Sequence, residues 1–242
     1  MLDQWALFQH NLGIWKGSFA TFNHQMQLKH IQPSELTLTL APTGRSIELS
    51  LLFWPEQKHQ PVALPMGAPA KRISQSFTNL PSELCFFPTG TFCRGTLFIA
   101  SARQAWSCPY AEFGFLHGQR RHRLVLLWDG AGQLDRIVLI REFLAGSSAV
   151  ECPALQADDL IGDWRHDLPS PGDHIHLAAD DLDQWIFLPD GGAFLAPAQI
   201  DPNQPFSIEA LWLSSSTRLE RISRRYSEHG ALTAVDHQLL TR

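Results

Sequence analysis

A chain of 242 residues that is 44% hydrophobic and only 18% charged has enough apolar surface to fold as one large or two small domains without a disulfide or metal staple. Its formal net charge of −5 lacks the basic footprint of a nucleic-acid binder. No basic and apolar leader and no apolar run near the ~18 residues of a membrane span is present. The four cysteines, Cys85, Cys93, Cys108 and Cys152, follow neither metal-ligand nor redox spacing, so free thiols in a reducing, cytoplasmic setting are expected.

Asp3 can cap a short helix whose apolar positions Trp5, Phe8 and Leu12 recur at helical spacing before Gly13 ends it. Period two then takes over. Leu36, Leu38 and Leu40 alternate with threonines, the Thr43-Gly44 turn follows, and Ile47, Leu49, Leu51 and Phe53 continue the alternation, which predicts a hairpin with one buried face. Pro55, Pro61, Pro65 and Pro69 make residues 54–70 an irregular loop. Further strands are predicted over 73–77, 84–87, 91–99, 112–116, 123–128 and 134–143, with Asp129-Gly130-Ala131-Gly132 turning the last pair into a hairpin.

From Ala145 to Ala157 the chain becomes small and polar, which places a boundary between units 1–148 and 149–242. The second part echoes the first in order. Gly13-Ile14-Trp15 is matched by Gly162-Asp163-Trp164 after a helix-like Ala154 to Leu160. Leu84-Cys85-Phe86-Phe87-Pro88-Thr89-Gly90 is matched by Trp185-Ile186-Phe187-Leu188-Pro189-Asp190-Gly191. Gly132-Gln133-Leu134 is matched by Gly230-Ala231-Leu232, with Arg120 and Arg123 answered by Arg218 and Arg221. Such ordered echoes are the signature of duplication. The first pair is 149 residues apart and the last 98, so the second copy has lost about fifty residues from its middle and is not expected to close alone.

A short helix leading into Gly-x-Trp and then only antiparallel hairpins resembles the lipocalin and wider calycin pattern. The resemblance implies an all-β, antiparallel lipocalin-like barrel followed by a shorter, degenerate second barrel-like unit. In that pattern a tryptophan plugs one barrel end under an arginine from the last strand, which implies Trp15 with Arg141 and, in the second unit, Trp164. Residues 5–19 and the stretch Phe187-Leu188-Pro189-Asp190-Gly191 with residues 205–213 resemble an uncharacterised tandem-barrel family of cyanobacteria and plastids, distantly related to the S-type phycobiliprotein lyases.

Catalytic signatures are missing: no nucleophile elbow, phosphate loop, dinucleotide fingerprint or His-Glu-x-x-His helix occurs. No catalytic residue is assigned. His174 and His176, with His166 and Asp173 nearby in sequence, could sit on one strand face as metal ligands, but solvated loop histidines are the simpler reading and no metal is expected. The arginines carry more chemistry. Arg120, Arg121 and Arg123 cluster before Trp128, and Arg218, Arg221, Arg224 and Arg225 recur beside Tyr226; a guanidinium can hold a carboxylate in a forked pair and stack on a ring. Arg120, Arg123, Arg141, Trp128 and Trp54 are therefore the candidate ligand-binding residues, set against solvent-facing arginines and core tryptophans.

The leading expectation is a non-catalytic binding protein for a small amphipathic or hydrophobic ligand. The family likeness implies a tetrapyrrole such as a bilin, or a fatty-acid-like molecule, and no cofactor is required. The alternative is an assembly factor or chaperone docking a photosynthetic protein subunit; a third, a phycobiliprotein chromophore lyase, comes from the distant relatives alone. A pocket is expected in the first unit and a docking edge in the second.

Overall fold

The computed structural model describes residues 3–58, 67–99, 108–167 and 174–242. Asp3 accepts a hydrogen bond from Trp5 N at 2.9 Å and so caps helix α1 (Gln4–Gln9), which buries Leu7 and Phe8. The helix is a turn shorter than predicted, because His10 to Leu12 tighten into turns and Gly13 already begins a strand.

Nine strands form the first sheet: β1 (Gly13–Asn23), β2 (Leu28–Leu40), β3 (Ile47–Phe53), β4 (Lys71–Phe77), β5 (Leu84–Phe86), β6 (Phe92–Gly95), β7 (Tyr110–His117), β8 (Arg120–Trp128) and β9 (Leu134–Leu144). Their order is β4-β3-β2-β1-β9-β8-β7-β6-β5, every pair antiparallel. The sheet curls into a half-barrel and its end strands, β4 and β5, do not pair with each other. Phe8 of α1 spans them instead, edge-on to Phe77 of β4 at 5.4 Å and stacked on Phe86 of β5 at 4.9 Å. The Gln4 amide imitates a strand partner, donating to Phe86 O at 2.9 Å and accepting from Phe86 N at 2.7 Å. The concave face is lined with Trp15, Leu36, Leu38, Phe86 and Phe92, the inward positions of period-two strands.

A second sheet holds β10 (Gly162–His166), β11 (His174–Leu177), β12 (Ile186–Phe187), β13 (Gly192–Leu195), β14 (Phe206–Ser215), β15 (Arg218–Tyr226) and β16 (Leu232–Thr241), ordered β11-β10-β16-β15-β14-β13-β12. Its core gathers Leu160, Trp164, Leu177, Leu211, Leu219 and Leu240. The fold class is thus antiparallel all-β with a curled first sheet and a shorter second one. The helix-like Ala154 to Leu160 proves to be a single 3-10 turn, Ala157–Asp159, and the strand predicted over 91–99 ends at Gly95. In the proline-rich loop only residues 54–58 and 67–70 are described; apart from the Gln57 bridge to Ile31 they are not strand, and Pro61 and Pro65 lie outside the described residues.

The chain divides into two compact units: Met1–Gly95, Tyr110–Trp128 and Leu134–Val150 form one, and Thr96–Pro109, Asp129–Gln133 and Glu151–Arg242 the other. A single cut at 148/149 would leave 96–109 and 129–133 with the first. The sequence echoes coincide with matching local geometry. Trp15 Nε1 donates to Asn11 O at 2.9 Å and Trp164 Nε1 to Leu160 O at 2.8 Å, both four residues back. The hairpin turn closed by Asp129 N to Gln133 O at 2.8 Å recurs as Ser227 N to Ala231 O at 2.9 Å, with Gly132 and Gly230 both in the left-handed region that glycine tolerates. Between Gly-x-Trp and the Leu-Pro-Asp segment, where the first unit places β2, β3 and β4, the second has only β11 among the described residues.

Candidate functional site

The concave face of the first sheet is apolar on one side and charged on the other. Phe8, Leu36, Leu38, Leu49, Phe77 and Phe86 form the apolar wall, while β6 to β8 contribute Arg94, Glu112, Arg121 and Arg123, and the space between them is a cavity of about 110 Å³; Glu142 of β9 lies against Arg121 and Arg123. Register explains the charged wall. Glu142 stands directly opposite both Gly17 of β1 and Arg121 of β8, and Arg123 lies two residues along the same face.

Arg123 donates to Glu112 Oε1 through Nε at 3.1 Å and Nη2 at 2.5 Å. Glu142 lies 3.6 Å from Arg121 Nε and 3.6 Å from Arg123 Nη1, beyond hydrogen-bond reach of either. The Arg121 side chain is 3% exposed and Glu142 0%, yet Arg121 Nε and Nη1 and both Glu142 carboxylate oxygens have no hydrogen-bond partner among the described residues. Arg121 also covers Trp15, its guanidinium carbon 5.1 Å from the ring centroid. Burial pushes the Arg121 guanidinium down to about 10, with Glu142 opposing the fall. Arg123 loses hydration as well, but Glu112 and Glu142 outweigh that loss and hold it above the usual arginine range.

Of the residues selected from sequence, Arg123 is in this wall. Arg120 precedes inward-facing Arg121 on β8 and so points to the other face. Arg141 is opposite Ser18, whereas Trp15 is opposite Leu144; one residue of register puts Arg141 on the reverse face from Trp15, and the arginine over the tryptophan is Arg121. Trp128 is buried but does not line the cavity, and Trp54, at the end of β3, donates its indole N–H to Gly67 O at 3.1 Å. Trp164 is buried under Arg242, 4.4 Å from its ring centroid. Glu112 and Glu142 were missed, and Arg121, named in the arginine cluster, was not among the candidate binding residues. Their signal was legible in principle: acids recurring inside otherwise apolar strands, and an arginine on the same period-two face as Arg123.

The second unit repeats part of the wall. Arg221 donates to Glu209 Oε2 through Nε at 2.9 Å and Nη2 at 2.6 Å, the counterpart of Arg123 and Glu112. Here a hollow of about 520 Å³ opens along His166, Glu209, Arg221, Ser223, Arg225 and Asp236. The described residues of the second unit hold no counterparts of β3 and β4 to cover this charged face, whereas the first unit has both its apolar-walled cavity and a hollow of about 440 Å³ along β2, β3 and β4. The long exposed edge is likewise in the first: six of the seven residues of β4 are exposed, against edges of four and two residues in the second sheet.

Among the described residues no three His, Cys, Asp or Glu side chains gather to hold a metal. His176 of β11 instead meets Asp163 at 2.7 Å, and Asp173 lies outside the described residues. No described helix is long and apolar enough to cross a membrane.

Residues 1–147 match the family described as domain of unknown function (DUF3598), N-terminal. Residues 171–239 match the C-terminal domain of a family described as biogenesis factor required for ATP synthase 1. No curated protein matches the chain. The crystal structure of a DUF3598-family protein of unknown function from Nostoc punctiforme PCC 73102 superposes with a TM-score of 0.79 at 28% identity, over 100% of both chains. The S-type phycobiliprotein lyase of Guillardia theta reaches a TM-score of 0.38 at 13% identity, over 59% of this chain and 93% of its own.

Proposed function

We propose, from the premise that this chain belongs to the DUF3598 family, that it is a non-catalytic binding protein whose partner is another protein, docked during assembly of a larger complex. The observation that carries this reading is β4. It ends the nine-stranded order, no described strand pairs on its outer side, and Lys71 to Ser76 are all exposed. A strand with a free edge can accept an extended segment of a partner through main-chain hydrogen bonds. Lys71 and Arg72 at its start repel a second copy of the same edge and favour an acidic segment. The likeness of residues 171–239 to an ATP synthase biogenesis factor supports a subunit of that enzyme as the first partner to test.

The test places a photo-crosslinking residue at Ser74 on β4 or at Arg136 on β9 and offers each purified soluble ATP synthase subunit in turn. Crosslinking of one subunit from position 74 and not from 136 is expected. Failure of every subunit to crosslink or to co-elute with the chain would overturn the reading.

A second reading, a small amphipathic ligand such as a tetrapyrrole or fatty acid, is favoured by one observation. The hollow of the second unit, about 520 Å³ with Arg221 and Arg225 on its wall, falls within the ~300–1,000 Å³ of ordinary ligand sites, whereas the apolar-walled cavity of the first unit, about 110 Å³, is too small for a tetrapyrrole. Titration with bilins, porphyrins and fatty acids, followed by tryptophan fluorescence and absorbance, tests it; flat titrations across the panel exclude it.

A further inference from the structure

The two units act as controls for each other. Position by position, β8 and β9 of the first unit correspond to β15 and β16 of the second, as the shared turn and the pairs Arg123–Glu112 and Arg221–Glu209 show. On that register the buried pair Arg121 and Glu142, directly opposite each other, corresponds to Leu219 and Leu240, also directly opposite each other and each 1% exposed in an apolar core. This scaffold therefore accepts two leucines at these places. A buried ion pair is on average no more stabilising than a well-packed apolar pair and is often less so. Covering the tryptophan does not require it either, because in the second unit Arg242 covers Trp164 from an exposed position.

Stability thus gives no reason for a buried arginine with two nitrogens that have no acceptor among the described residues, facing a carboxylate held 3.6 Å away. Those nitrogens belong to a residue lining a cavity whose other wall is Leu36, Leu38, Phe77 and Phe86. A cavity with hydrogen-bond donors on one side and hydrocarbon on the other suits a short amphiphile. The charged groups near it balance, Arg94, Arg121 and Arg123 against Glu83, Glu112 and Glu142, so one added negative charge is tolerable and a dianion such as phosphate is not. About 110 Å³ holds on the order of four water-sized groups, which limits the occupant to a few carbons.

We propose that the cavity of the first unit is a binding site for a short-chain monocarboxylate, its carboxylate on the Arg121 guanidinium and its alkyl end against the leucine and phenylalanine wall. The site uses the inward Phe77 ring of β4, whereas the docking edge uses the outer main chain of Lys71 to Ser76, so either proposal can fail without the other.

The experiment titrates the full chain with propionate and butyrate, and with propionamide and butyramide as neutral isosteres, at constant ionic strength. Ligand-observed NMR and the shift of the Trp15 indole N–H resonance, assigned by its loss in Trp15→Phe, are the readouts. The acids are expected to bind saturably and move that resonance, the amides at least tenfold more weakly. The double variant Arg121→Leu/Glu142→Leu, which installs the leucine pair of the second unit, is expected to keep its folded spectrum and lose acid binding at least tenfold; Arg121→Gln should lose it too. The proposal is overturned by wild-type chain that binds neither acid, as it would if the cavity held water only, by amides binding as well as acids, or by undiminished binding in either folded variant. The acid-to-amide contrast in wild type decides the matter should a variant fail to fold.

Discussion

Arg121 and Glu142 are bound to each other energetically even though no hydrogen bond joins them. Removing one leaves the other charged and buried, so Arg121→Leu alone should lower unfolding free energy by about 3–5 kcal/mol. Adding Glu142→Leu should return stability to within about 1 kcal/mol of wild type or above it, since Leu219 and Leu240 show how the pair packs. Denaturant midpoints of wild type, both single variants and the double variant give the coupling directly. The same site sets a pH dependence. Because burial holds the folded-state value of Arg121 at about 10, well below its value in the unfolded chain, the unfolded state binds more protons between the two. The resulting destabilisation is complete below pH 10 and is relieved as pH rises through it, by at most about 1.4 kcal/mol per unit. Glu142, Arg123 and Glu112 are the charged groups that face it. Wild type should therefore gain on the double variant between about pH 10 and 11, in matched urea melts; a constant difference would contradict the assignment. At this scale sequence reading failed by single residues. Arg141 and Glu142 are neighbours in the chain and opposites in the sheet, and only the pairing of Gly17 with Glu142 tells which one looks inward.

An open half-barrel has two edges to manage, and the helix handles one of them chemically. The Gln4 amide satisfies both backbone groups of Phe86, and the Phe8 ring fills the gap between β5 and β4. Gln4→Ala should cost about 1 kcal/mol per bond lost and speed hydrogen exchange at the Phe86 amide, while leaving Phe77 resonances in place. Phe8→Ala, at a position 5% exposed, should cost about 3–5 kcal/mol and disturb both edges. Equal exchange at Phe86 in Gln4→Ala would show that the amide is not its edge partner. Elements with strong alternation, such as β2, β3 and β9, were legible because each turn of the period adds to the same signal. The two-residue β12 and the 3-10 turn at Ala157–Asp159 were not, since too few residues repeat for any period to emerge. The half-barrel itself was hidden for another reason: closure depends on whether β4 meets β5, a contact far apart in sequence that no local pattern records.

At the scale of the whole chain, the two compact units are interleaved along the sequence. Residues 96–109 belong with the second, and the bonds say why. Ile99, 1% exposed, donates its N–H to Gly230 O at 2.8 Å, and Leu232 N donates to Leu97 O at 2.8 Å, so this segment pairs with the turn of the β15–β16 hairpin. Arg224 and Tyr226, both buried, donate to the Thr96 carbonyl at 3.1 and 2.8 Å. A fragment of residues 151–242 has the whole second sheet and lacks all of these acceptors and donors, along with the Ile99 side chain. Taking a carbonyl from a buried guanidinium costs more than a neutral bond, because the charge must then be desolvated without it. That fragment should therefore give a poorly dispersed amide spectrum and no cooperative unfolding transition. In the full chain, Ile99→Ala should weaken the second unit by about 2–4 kcal/mol, with hydrogen exchange rising at Leu232 and not at Trp15 in the first. If residues 151–242 alone unfold cooperatively with the stability of the intact chain, the segment is a passenger on the second sheet, and a cut near 148/149 is the true division after all.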